Sequence, residues 1–223
     1  MRVAPATVSA RVDSARLSLR HSWGGPLNGQ EGRQRIVREL ARAIHFDRVY
    51  ETGTYRGTTT EFLLAVFECP VFSVEISERF FRYSRARLSY SRRVHLERGD
   101  SRSFLQRHAT ASETAFIYLD AHWQRDLPLC DELRIISSGW PRAVVMIDDF
   151  RVPDDDGYGF DDYGPGKVLE VEILPKAEMD GWQIFYPVLP SAQETGAGRG
   201  CCVLASGPMV KAARVASLRP GYL

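Results

Sequence analysis

Short, almost wholly apolar runs alternate with segments of helical spacing from residue 31 to residue 149. The runs "RVYE" (48–51), "VFSVE" (71–75), "VHLERGD" (94–100), "AFIYLD" (115–120) and "AVVMIDD" (143–149) read as strands. Between them the residues at 31–46, 58–67, 77–90, 101–108 and 127–138 read as helices. The first puts Ile36, Leu40, Ala43 and Ile44 on one face, and Ser77 before Phe80 and Phe81 suits an N-cap ahead of a buried stripe. A strand that is apolar on both sides must be covered on both sides. Alternation with helices therefore predicts an α/β fold: one Rossmann-like, mostly parallel sheet with helices on both faces. After residue 150 the pattern changes. "RVPDDDGYGFDDYGPGK" (151–167) reads as an acidic, glycine-rich, solvated loop, and "GWQIFYPVL" (181–189) and "GCCVLASG" (200–207) pair as a late antiparallel hairpin, giving seven strands. No internal repeat or second domain boundary interrupts this, so residues 23–223 are expected to form one domain behind a flexible tail at 1–22.

Composition excludes more than it assigns. A formal net charge of +1 over 223 residues argues against a dominant nucleic-acid surface. No apolar run approaches the roughly 20 residues that span a bilayer, and the arginine-studded N-terminus lacks an apolar signal core. Cys69, Cys130, Cys201 and Cys202 show no CxxC pair and no metal-ligand spacing, which predicts reduced thiols and a cytoplasmic protein.

In a parallel sheet flanked by helices, ligands gather at the C-terminal ends of the strands. The first strand here ends in Glu51 and runs into "TGTYRGTTT" (52–60), where Gly53 and Gly57 permit a sharp turn into a helix. The second ends in Glu75, the third in Gly99, Asp100 and Ser101, the fourth in Asp120, His122 and Trp123, and the fifth in Asp148 and Asp149. One or two such acids are ordinary turn formers. Five successive strand ends of this kind point to a site. Glu75, about 20 residues past the glycine turn, suits a ribose diol, while an acid just before the first glycine disfavours a pyrophosphate and favours a cationic group.

The order E-x-G-x-x-x-G, strand-two acid, G-D-S, L-D-A-H-W and I-D-D resembles the class I S-adenosylmethionine-dependent methyltransferases. Within them it is similar to the metal-dependent small-molecule O-methyltransferases of the catechol, caffeoyl-CoA and macrocin types, over residues 27–150 and the two late strands. The resemblance implies S-adenosyl-L-methionine held by Glu51, Gly53, Thr54, Tyr55 and Gly57, with Thr58 or Thr59 on its carboxylate. Glu75 would take the ribose, Ile76, Asp100 and Ser101 the adenine, and His122 and Trp123 the adenosine and pocket mouth. Asp120, Asp148 and Asp149 would ligate Mg2+ or another divalent cation, which would orient the hydroxyl of a small-molecule acceptor. The likeness also implies natural-product chemistry and a homodimer by analogy.

One departure stands out. The catechol-type enzymes carry a proton-accepting lysine after the His-Trp pair; here the stretch is "HWQRDLP", with Gln124 and Arg125 there and Ala121 inserted before His122. The proton acceptor is then His122, Lys167 of the late loop, a metal-bound water, or none. Two other classes stay open: a metal-dependent, hydroxylase-like enzyme that does not transfer methyl groups, and a non-catalytic nucleoside-binding module. A nicotinamide oxidoreductase is a more distant third.

Overall fold

Five parallel strands form the middle of the sheet: β1 (Arg48–Thr52), β2 (Val71–Glu75), β3 (Val94–Arg98), β4 (Thr114–Leu119) and β5 (Arg142–Asp148). They come from a computed structural model in which residues 24–122 and 126–223 are described. The expected tail at 1–22, and Trp123, Gln124 and Arg125, lie outside the described residues. The late strands β6 (Gln183–Pro187) and β7 (Cys201–Ala205) pair antiparallel, with β7 against β5. The spatial order is β3-β2-β1-β4-β5-β7-β6-β8. The eighth strand, β8 (Leu218–Pro220), extends the expected seven at the β6 edge. Three residues ending in proline carry no readable strand pattern, and an edge is where a proline is tolerated.

Among the described residues five helices cover the sheet: α1 (Glu31–Ala43), α2 (Thr58–Val66), α3 (Glu78–Arg87), α4 (Ser101–His108) and α5 (Leu129–Gly139). Strand alternation divides the core in two. Tyr50, Ile117, Val145 and Ile147 face Phe104, Leu105, Leu133 and Ile136 of α4 and α5. Val49, Phe116, Tyr118, Val144 and Met146 face Ile36, Val37, Leu40, Leu63 and Leu64 of α1 and α2. By the same parity Glu51 and Asp148 point to the α1–α2 side, and Thr52 to the α4–α5 side.

The order reverses between β1 and β4, the switch point where such sheets open a crevice. One wall of that crevice is the 151–167 segment, which is not the solvated loop expected from its acids. The Asp161 N–H donates to the Asp149 carbonyl at 2.9 Å, Arg151 N–H to the Leu169 carbonyl at 2.7 Å, and Gly159 N–H to the Gly198 carbonyl at 2.9 Å. Tyr158 is buried and donates to the Leu189 carbonyl at 2.9 Å, while Asp155 accepts from the Ser191 amide at 2.8 Å. Asp155 and Asp161 fasten the segment, while Asp154, Asp156 and Asp162 are exposed.

Glu132 of α5 is the least expected core residue. It is fully buried beneath the β1 and α4 ends, and burial pushes its carboxyl up to about 7 against the hydroxyls of Ser101 and Thr52. A carboxyl raised in the folded state contributes stability that is present below its unfolded value near 4.5 and lost as pH rises through about 7. Glu132→Gln should therefore leave stability at pH 4.5 nearly unchanged. At pH 8 it should raise the unfolding free energy by about 2–3 kcal/mol, read by urea denaturation at the two pH values. Equal effects at both would mean that the Glu132 carboxyl titrates alike in the folded and unfolded chain.

Candidate active site

The turn after β1 is built by glycine for reasons of chain packing. Gly53 has φ 86, and a Cβ there would fall on the Asp120 carbonyl, because the ends of β1 and β4 close on each other. Gly57 has φ 72, and a Cβ would meet Leu88 Cδ1 at 2.9 Å. It is the N-cap of α2 and, being glycine, supplies no side-chain cap hydrogen bond. Tyr55 also takes a left-handed φ of 48, with its ring centroid 4.4 Å from that of Phe80.

Three groups in this turn await a ligand. Glu51 is buried; its Oε2 accepts from Thr60 and Ser73 hydroxyls, each at 2.5 Å, and its Oε1 has no partner. Burial pushes Glu51 up to about 7 against those two hydroxyls, with the Glu75 charge adding to the rise. Glu75 at the end of β2 accepts from the Tyr55 and Ser77 amides at 2.7 Å each, which fixes its carboxylate beside the crevice with lone pairs to spare. The next residue, Ile76, is 73% exposed, an apolar side chain with no cover. Thr54 binds Ser73 at 2.5 Å, and Thr59 accepts from the Leu27 amide at 3.1 Å. Arg87 donates to the Thr58 hydroxyl at 3.0 Å. An orphaned buried acid, a helix start capped by glycine, a ribose-type acid and an open apolar platform fit S-adenosylmethionine.

The aspartates across the crevice do not fit the expected metal triad. Asp148 is buried and accepts four donors: Arg33 Nη1 and the Asp149 amide (2.8 Å) on Oδ1, Tyr118 OH (2.5 Å) and Asn28 Nδ2 (3.2 Å) on Oδ2. An ionised carboxylate offers about four lone-pair sites, and all are taken. Asp148 is thus the buried partner of Arg33, not a cation ligand. Asp149, just past the end of β5 and in a left-handed conformation with φ 52, takes Arg199 Nε at 2.8 Å. Arg199 Nη2 also donates to Asp161 Oδ1, and Tyr163 OH to Asp161 Oδ2. Asp120 is held well above the usual carboxylate range by burial first, then by the charges of Asp148, Asp149 and Glu51.

His122 lies among them, 3% exposed, and neither ring nitrogen has a hydrogen-bond partner. Burial holds its imidazole below the usual value, against the pull of Asp148 and Asp161. Tyr163 OH reaches its backbone carbonyl at 3.3 Å. The other expected residues lie apart from this cluster or do other work. Asp100 caps α4, accepting from the Arg102 and Ser103 amides at 3.0 and 3.2 Å, and is held low first by the Arg102 side chain. Ser101 is buried against Glu132. Lys167 is exposed in the turn that its own amide closes onto the Gly164 carbonyl at 2.9 Å. Asn28, Arg33, Tyr118, Asp161 and Arg199 enter the site without having been anticipated from the sequence, whereas Tyr163 is among the aromatics that the sequence offers as pocket lining.

No protein-family model matches the sequence, and no curated protein matches it. Solved structures do. An O-methyltransferase of Bacillus cereus in complex with S-adenosylhomocysteine superposes with a TM-score of 0.59 at 15% identity, covering 92% of each chain. The O-methyltransferase TomG of Streptomyces achromogenes, involved in tomaymycin synthesis and solved with S-adenosylmethionine, gives 0.58 at 16% identity over 92% of this chain and 91% of its own. A methyltransferase of Podospora anserina with bound S-adenosylhomocysteine gives 0.57 at 14%, over 92% and 88%. The fold is that of the class I methyltransferases. At such identities the likeness carries the fold, and the chemistry has to be argued from the residues. Among the described residues no helix is long and apolar enough to cross a membrane.

Proposed function

We propose that this protein is an S-adenosylmethionine-dependent methyltransferase acting on a hydroxyl of a small molecule. The observation that carries the reading is the unpartnered Oε1 of buried Glu51, set at the end of β1 beside the glycine-capped start of α2. Those two features accept an ammonium and a carboxylate, the two ends of an amino acid. Glu75, one strand over, accepts from vicinal hydroxyls, and Ile76 offers an apolar face for a base. S-adenosylmethionine, when bound, supplies an electrophilic methyl group. The chain must bring the acceptor oxygen in line with it, exclude water and take up a proton.

His122, buried and unpartnered, offers a nitrogen that accepts either a proton or a coordination bond at the acceptor's side of the crevice. Tyr163, tied to Asp161 and to the His122 carbonyl, closes that side. The solved complexes of the Streptomyces and Bacillus O-methyltransferases, similar in fold, support the class of chemistry. Isothermal calorimetry with S-adenosylmethionine and NADH is the direct test, followed by methyl transfer to a panel of phenols and sugar hydroxyls. Micromolar binding of the first ligand alone is expected; binding of the dinucleotide alone would overturn the proposal.

A further inference from the structure

We infer that His122, Asp149 and Asp161 form a binding site for a first-row transition-metal dication, distinct from the aspartate triad that the sequence suggests. One ligand atom from each of the three lies within 4.8 Å of the others. The three arrive from different places: the segment after β4, the end of β5 and the fastened 151–167 segment. The fold brings them together, not the local sequence.

Counting lone pairs separates the acids that can ligate from the one that cannot. Asp148 has none left. Asp149 gives one contact from Oδ1 to Arg199, and Asp161 one from each oxygen, to Arg199 and to Tyr163. Both keep coordination capacity on oxygens already anchored from behind, as metal-bound carboxylates are. His122 supplies the independent observation. It is 3% exposed with both nitrogens unpartnered, within reach of those oxygens. Arg199 does not meet this need, since its guanidinium binds the two carboxylates and leaves the imidazole without a partner.

The donor set indicates which ion. Two carboxylates alone suit Mg2+, but an imidazole nitrogen shifts preference to Mn2+, Fe2+, Co2+ or Zn2+. Three protein donors leave coordination positions for water or an acceptor hydroxyl, the arrangement of a reactive rather than a structural centre. A ring nitrogen engaged in this way is no base; the cation, when held by the three residues, would supply Lewis-acid polarisation of an acceptor hydroxyl.

The test reads metal binding by the full chain, without cofactor or acceptor, and so stands apart from the methyl-transfer reading. Co2+ titration should give about one equivalent with ligand-field bands, undisturbed by tenfold Mg2+. His122→Ala and Asp161→Asn should each weaken binding by about tenfold or more, and Asp120→Asn by less. Pulsed electron paramagnetic resonance of the Mn2+ form should show coupling to an imidazole nitrogen, which needs no variant and covers a misfolded substitution. No stoichiometric binding by the folded wild type, no nitrogen coupling, or loss in Asp120→Asn with His122→Ala unaffected would overturn the site.

Discussion

Replacing Arg33 with methionine should lower the unfolding free energy by about 3–5 kcal/mol, the scale expected when one partner of a buried ion pair is removed. Arg33 and Asp148 are each buried, and the guanidinium also donates to the Gly200 carbonyl at 2.9 Å, tying α1 to β5 and to the start of β7. Methionine keeps most of the apolar stem and removes the charge, so Asp148 is left ionised in the core with two neutral side-chain donors, Tyr118 and Asn28. Against a typical total of roughly 5–15 kcal/mol, that loss takes a large share of the stability. The double variant Arg33→Met with Asp148→Asn should cost less than Arg33→Met alone, because the orphaned charge is gone and the amide oxygen still accepts from Tyr118. Urea denaturation of the wild type, both singles and the double gives the coupling. A loss below about 1 kcal/mol for Arg33→Met would mean that Asp148 takes its neutral form at little cost, and the ion-pair account fails.

That pair also shows where the sequence was legible and where it was not. The five parallel strands stand out because each is apolar on both faces, and β8 escapes notice because three residues carry no period. Arg33 could have been found: the apolar stripe of Ile36, Leu40 and Ile44, carried back one turn, lands on it. A charge on an apolar stripe requires a buried acid. Asp148 could have been found as well, since the alternation of β5 puts it on the face of Val144 and Met146, toward α1, whereas Asp149 lies past the strand end in a left-handed turn. Reading the two as one metal-binding pair overlooks that strand period. Nothing local marks Arg199 or Asp161. They meet Asp149 from 50 and 12 positions along the chain, through a segment whose acids read as solvent-facing until its backbone pairings are known. The strand-to-helix turn at Gly53 and Gly57 was legible as a turn, because both positions take a left-handed φ that glycine adopts without strain.

Glu51→Gln should weaken S-adenosylmethionine binding by roughly 2–3 kcal/mol, about 30–150-fold, the worth of a hydrogen bond to a charged group in a dry site. The pH dependence is the sharper signature. In the ligand-free protein burial holds Glu51 up near 7, so its stability contribution is present below its unfolded value near 4.5 and is lost as pH rises through about 7. The Oε1 that lacks a partner is then protonated about half the time at neutral pH. A ligand ammonium favours the ionised form, so binding must expel that proton. Affinity should therefore climb from pH 6 toward neutrality, with up to one proton released at the acid end, and fall again as the ligand's own α-ammonium, with a pKa of about 7.7–8, loses its proton. Glutamine carries no titrating proton, and Glu51→Gln should bind weakly and without the rise from pH 6, keeping only the alkaline fall that belongs to the ligand's amine, whose pKa is about 7.7–8. Glu75 and Asp120 are raised as well and remain in the variant, so what survives the substitution belongs to them. Calorimetry at pH 6, 7 and 8, in buffers of different ionisation enthalpy, measures affinity and proton release together. If the wild type binds with the same affinity at all three and releases no proton, the ligand's amino group does not sit on Glu51, and the first strand end holds something other than an amino acid.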